Sequence, residues 1–198
     1  MLFLRQPTDT YLEQFAARQV SQTLSYNFPG LTKSPPQTLP GWKIDRERVL
    51  LGHGEDVYRR AQSAIERWAM FPSAVASVFR PTSPAIGQNV VVVYFTAPLQ
   101  MWMVFPARVI YCRNDSEEPF DRFGFAYGTL SGHPERGEER FLVEWNRRDD
   151  TVWYDLLAIS RPGHWLARLG YPYTRLEQAR FRKLSSQAMR AAVIAAPG

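Results

Sequence analysis

The sequence predicts a single α+β domain in which a curved antiparallel sheet of six or seven strands grips a long C-terminal helix. Three observations carry that prediction. Apolar spacing changes from a helical to a two-residue repeat near residue 74 and returns to a helical one near 165. Pro, Gly, Asn and Asp cut the two-residue region into six consecutive strands. The chain has 198 residues, 45% hydrophobic and 22% charged, enough for one sizeable core. Consecutive strands joined by short loops form hairpins, and the final helix is available to cover the apolar face of the resulting sheet.

The domain spans 1–198, with 1–41 read as an N-terminal helix and Pro-rich wrap and 42–198 as the core. Thr10-Tyr11-Leu12-Glu13 has the capping-box pattern, and Leu12, Phe15, Ala16 and Val20 follow helical spacing, so a helix is expected near 10–20. Asn27, Pro29, Gly30, Pro35, Pro36, Pro40 and Gly41 then disfavour regular structure. Arg46–Leu51 reads as a short strand, and Gly52-His53-Gly54 turns the chain into a helix opening at Glu55-Asp56. Val57, Ala61, Ala64, Ile65, Trp68 and Phe71 form its apolar stripe, which Pro72 ends. The strands follow at Ala74–Phe79, Val90–Thr96, Met101–Cys112, Phe123–Leu130, Glu139–Asn146 and Val152–Ser160. From about Trp165 a helix returns, with Phe181, Leu184, Ala188 and Ala191 as its stripe.

Strand parity locates a pocket. Pairing Trp145 with Val152 across the last hairpin sets Phe141 opposite Leu156, Val143 opposite Tyr154 and Glu139 opposite Ala158. The apolar face then holds Phe141, Val143, Trp145, Tyr154 and Leu156, while the other carries Arg140, Glu144 and Asp155 together with Trp153, Leu157 and Ile159, for which the N-terminal segment is a candidate cover. Pairing Leu130 with Glu138 adds Phe125 and Tyr127 to the apolar face and sets Thr129 beside Glu139. Tyr127, Thr129 and Glu139 form a polar end, with His133 in the adjoining loop. An ionised carboxylate on an apolar face must find a partner or shift its pKa upward. Glu139 is therefore either paired with an Arg or with loop amides around 132–137, or it is a pocket acid, with Tyr127 satisfied by it or by a ligand. An imidazole at the pocket mouth, titrating near neutrality, would move protons.

Other functions are disfavoured. The single Cys112 allows no internal disulfide, fits a reduced, cytoplasmic setting, and is expected to be a small buried hydrophobe. The run Val90–Phe95 is too short to span a bilayer, so no membrane insertion is expected. Three separated His and one Cys lack metal-ligand spacing, so neither a metal nor a cofactor is expected. Gly52-His53-Gly54 lacks the rest of a phosphate loop, and no nucleophile elbow is present. Net charge is +5, and residues 161–190 carry seven basic side chains against one acid, Glu177. This reads first as a solvated helix face and second as a contact for an anionic partner; nucleic acid is the weakest expectation.

Several segments resemble a bacterial and plant family known as domain of unknown function 1990. They are Tyr26-Asn27 before the Pro/Gly linker, Leu51-Gly52-His53-Gly54, Ala61 through Trp68-Ala69-Met70-Phe71, the run from Phe123 to Phe141, and Ser160-Arg161-Pro162. The element order likewise resembles the helix-grip fold of the birch-allergen, START and polyketide-cyclase superfamily. The resemblance implies that fold and, by analogy, a cavity between sheet and final helix for a small apolar or amphipathic molecule. The candidate ligand-binding residues are Tyr127, Thr129, Glu139, His133, Phe125, Phe141, Tyr154 and His53, the last because it follows the family pattern. The alternatives are a general acid–base enzyme using Glu139, Tyr127 and His133, and an interaction domain using the basic final helix.

Overall fold

The computed structural model describes residues 1–163 and 171–195. In chain order the elements are β1 (Leu2–Phe3), α1 (Asp9–Gln19), β2 (Lys43–His53), α2 (Glu55–Glu66), β3 (Ala76–Val78), β4 (Asn89–Thr96), β5 (Met101–Glu117), β6 (Phe120–Thr129), β7 (Glu135–Asn146), β8 (Thr151–Pro162) and α3 (Tyr171–Ala195). The strands form one curved antiparallel sheet in the order β2-β8-β7-β6-β5-β4-β3, and the two residues of β1 pair with β5. The expected start of the final helix near Trp165 lies outside the described residues.

Two helices share the inner face, where the sequence offered only the last. Tyr58, Ala61, Ala64 and Ile65 of α2 pack into the main core with Phe125, Phe141, Tyr154 and Leu156, and Met189 and Val193 of α3 join them. The stripe expected to run to Phe71 outlasts its helix: α2 ends at Glu66, and Trp68 adopts a left-handed φ of 59°. Its buried indole donates to Thr82 O at 2.8 Å, which holds the turn, and Phe71 stays in the core.

The outer face has its own cover. Val91, Val93 and Val104 pack beneath Leu12 and Phe15 of α1. The unbroken valine run of β4 follows from this, because both of its faces are buried. Thr8 caps α1 in place of the expected Thr10, its side chain accepting from Tyr11 N at 3.3 Å. Glu13, expected to close a capping box, instead pairs with Arg80 at 2.5 Å.

The β7/β8 ladder has the expected register, with Trp145 opposite Val152 and Glu139 opposite Ala158. The β6/β7 ladder is two residues away from expectation: Tyr127, not Thr129, faces Glu139, and Phe125 faces Phe141. Leu130 does not pair with Glu138, because its N–H donates to Pro106 O at 3.1 Å and it bridges to Leu24. Thr129 Oγ1 takes the N–H of Gly137 at 3.0 Å. A shift of two preserves parity, so the inner-face assignments stand. Cys112 is exposed, not buried: the register shift in β5 between Val109 and Tyr111 sets it beside the 80–88 loop, where its thiol lies 3.5 Å from Pro84 O.

Candidate functional site

The inner face is packed solid at one end and open at the other. Where α2 meets the sheet, Phe125, Phe141 and Tyr154 are at most 1% exposed. Beyond α2, the first turns of α3 stand off β4–β8 and leave a cleft of about 360 Å³. Phe71, Phe105, Tyr127 and Phe181 supply aromatic walls, and the exposed Leu2 and Leu99 lie at its rim.

Among the described residues, polar contacts hold the first turns of α3 in place. On the β4 side Tyr94 Oη donates to Glu177 Oε2 at 2.7 Å, and the hydroxyls of Thr96 and Tyr173 are bonded to each other. On the other side Gln178 Nε2 donates to Glu135 Oε1 at 2.6 Å, and Arg175 binds both oxygens of Asp45 at 2.5 Å. Burial of Asp45 disfavours its charge, but the Arg175 hydrogen bonds and the Arg182 charge outweigh it and hold that carboxyl below its usual range. Further along, Phe181, Leu184 and Met189 seat α3 in the core.

Glu139 lies in the cleft floor with one hydrogen-bond partner among the described residues, Tyr127, whose hydroxyl donates to Oε2 at 2.5 Å. Burial pushes its pKa up to about 7, the nearby Glu135 charge adds to the rise, and the Tyr127 hydrogen bond opposes it. Burial, then the adjoining carboxylate, raises the Tyr127 phenol well above its ordinary value. Glu135 is also raised by burial. The neighbouring Glu138 faces the opposite way and is fully met. It accepts from Tyr26 Oη at 2.8 Å, Gly30 N at 2.5 Å, Thr32 N at 2.9 Å and Thr32 Oγ1 at 3.0 Å. Adjacent carboxylates on one strand thus meet one donor on the inner face and four on the outer.

Of the expected site residues, Tyr127, Thr129, Glu139 and His133 come together along the cleft. Thr129 is largely occupied: its hydroxyl also contacts Ser25 Oγ at 2.6 Å. His133 borders the cleft, its ring tilted against Phe105 at 5.0 Å, and its Nδ1 accepts from Glu135 N at 3.0 Å. Burial lowers its pKa to about 4, so the expectation of an imidazole poised near neutrality does not hold. Phe125, Phe141 and Tyr154 lie in the core beneath α2, not against the cleft; the Tyr154 hydroxyl bonds Ser185 at 2.8 Å. His53 is exposed beside Thr151 at the far end of β2, about 30 Å along the sheet from Ser160.

Sequence reasoning missed Tyr94, Glu135, Tyr173, Glu177 and Gln178. Glu177 carried a usable signal, since it is the lone acid in a basic stretch.

A family model, domain of unknown function DUF1990, matches residues 25–188. The chain belongs to the DUF1990 family. Relatives of this DUF1990 protein include a UPF0548 protein of Dictyostelium discoideum, 32% identical over 91% of this chain and 90% of its own length. Another, from Deinococcus radiodurans, is 35% identical over 91% and 92%. Among solved structures, a hypothetical protein from Helicobacter pylori superposes with a TM-score of 0.50 at 12% identity, covering 83% of this chain and 94% of its own. Norcoclaurine synthase from Thalictrum flavum, solved in complex with dopamine and hydroxybenzaldehyde, gives 0.50 at 10% identity over 79% and 89%. At such identities these likenesses show that the DUF1990 chain has the helix-grip fold. Among the described residues, no helix is long and apolar enough to cross a membrane.

Proposed function

We propose that the cleft binds a small amphipathic molecule, its apolar body against Phe71, Phe105 and Phe181 and its polar end at the Glu139–Tyr127 pair. The observation that carries this reading is the contrast on β7. Among the described residues, Glu138 has four donors, whereas Glu139 has one neutral hydroxyl, in a cleft with aromatic walls. A half-buried carboxylate with spare acceptor capacity suits a polar ligand group. The cleft volume of about 360 Å³ falls within the range of small-molecule sites. The state of the basic helix supports the cleft over an anion-binding surface: Arg175 and Arg182 face Asp45, and Arg190 Nε donates to Leu50 O at 3.2 Å.

Native mass spectrometry of protein purified without added ligand, set against the denatured mass, tests this. The expected result is a retained small molecule that is lost from Ala158→Trp, where a new indole fills the cleft. A clean apo mass, together with no thermal stabilisation by any member of an amphiphile panel, would overturn it.

The Glu139 pKa of about 7 supports a second reading, proton transfer on the bound molecule. It requires Glu139→Gln to retain binding but abolish any conversion of the retained molecule.

A further inference from the structure

We propose that the occupant of this cleft is a protonated amine on an apolar body, held by its ammonium group between Glu135 and Glu139 and by its body among the aromatic walls. The proposal rests on the reading of the cleft as a ligand site and names the charge class it takes.

The ionisable lining is one-sided. Among the described residues, the carboxylates of Glu135, Glu139 and Glu177 line the cleft, that of Glu138 pointing to the outer face, and the guanidinium there is Arg182, which sits 3.5 Å from Asp45. Glu177 is answered by the Tyr94 hydroxyl at 2.7 Å and by Arg180 at 3.6 Å. Among the described residues, the hydrogen-bond donors to Glu135 and Glu139 are neutral: the Gln178 amide at 2.6 Å and the Ser160 hydroxyl for Glu135, which also feels the Arg175 charge, and the Tyr127 hydroxyl at 2.5 Å for Glu139. Each keeps acceptor capacity that an ammonium group, with its several N–H donors and no acceptor, is built to fill. An anionic ligand head would meet like charge, and a neutral hydroxyl would leave the two acids repelling each other.

The walls point the same way. Phe71, Tyr94, Phe105, Tyr127, Tyr173 and Phe181 surround the carboxylates. Aromatic faces carry negative charge density, and ring cages combined with acidic groups are a recurring means of holding ammonium ions. A bound cation would also relieve the carboxylates. Facing Glu139 are Tyr127 from β6, Glu135 from its own strand, Asp45 from β2, Tyr154 from β8 and Arg182 from α3. Only Arg182 among these favours its ionised form by charge. Amine binding is therefore coupled to loss of the Glu139 proton and strengthens as pH rises from 6 to 8.

The test uses three probes of matched shape on the full chain: 4-phenylbutylamine, 4-phenylbutan-1-ol and 4-phenylbutyrate. Titration calorimetry at pH 8 is expected to show the amine binding at least about tenfold more tightly than the alcohol, with the carboxylate weakest. Amine affinity falls several-fold between pH 8 and 6, although an alkylamine with a pKa of about 10 stays protonated throughout. Glu139→Gln lowers amine affinity about tenfold and leaves the alcohol within about twofold. Glu135→Gln is expected to act in the same direction and guards against one variant being misfolded. The wild-type series needs no variant. Alcohol binding equal to or tighter than amine binding overturns the cationic class while leaving the cleft a ligand site. Failure of all three probes to bind overturns the cationic class, and the ligand reading falls with it where the native mass is also clean and the amphiphile panel gives no stabilisation.

Discussion

Glu139 and Glu138 differ by one position and by almost everything that governs an acid. The inner carboxylate holds its proton to about pH 7 because burial penalises its charge. The consequence for stability has a definite sign. Its folded pKa lies above that of an unfolded glutamate, about 4.3. The folded state thus gains from the protonated group below that value and loses the gain as pH rises through 7. Relative to Glu139→Gln, the wild-type protein is expected to lose on the order of 2 kcal/mol between pH 5 and 8. Denaturant unfolding of both at each pH measures it; parallel stability curves would show that Glu139 is not desolvated. Sequence could reveal Glu139, because a carboxylate in register with Phe141 and Val143 is anomalous by pattern alone. It could not reveal how completely Glu138 is satisfied, because Tyr26, Gly30 and Thr32 arrive from more than 100 positions away.

At the scale of elements, the last helix is built in two ways along its length. Its second half is seated by Leu184, Met189 and Val193, and its first turns are latched through Tyr94, Thr96, Asp45 and Glu135. Apolar burial is cooperative, whereas half-exposed polar contacts exchange readily with water. Amides of residues 177–181 are therefore expected to exchange at least about tenfold faster than those of 187–192. Equal protection by hydrogen-exchange mass spectrometry would mean that the helix is uniformly seated. The apolar half was legible as a stripe; the latch was not, because its partners lie on strands remote in sequence. The six-strand meander and the β7/β8 register were legible because short loops join neighbours and one face of that hairpin is wholly apolar; that β2 pairs with β8 was not. The β6/β7 register was misread by two, since Leu130 resembles a strand residue but bonds to β5, which no local pattern encodes. The outer end of β5 was missed because Arg113-Asn114-Asp115 reads as a loop. Ion pairs of Asp115 with Arg113 on the same strand and with Arg122 of β6 support it as a strand.

Across the whole molecule, the sheet carries a cover on each face, and the Pro-rich segment contributes to the outer one. It is fastened by Glu138, by Arg140 donating to Thr32 O at 2.8 Å, and by the Trp42 ring beneath Arg161. Gly128 makes room for it, since a side chain there would collide with the Tyr26 hydroxyl. Glu138→Gln replaces an acceptor of four hydrogen bonds by a group with donors of its own. It is expected to cost about 2–3 kcal/mol and to open residues 27–41 to limited proteolysis. Unchanged cleavage in that segment would show that the fastening is redundant. That an outer cover was needed could be inferred from Trp153, Leu157 and Ile159; how it is attached could not.

The alternation on β7 also guards the fold against a mistake. Were the strand to slip by one residue against its neighbours, Glu138 and Arg140 would be driven among the rings of the interior. Phe141 and Val143 would turn outward beneath a segment shaped for a carboxylate. Both layers would object at once, each for its own reason, so mispairing here is rejected twice over. The two adjacent acids thus serve as a proofreading mark, telling the assembling sheet which way round its central strand belongs.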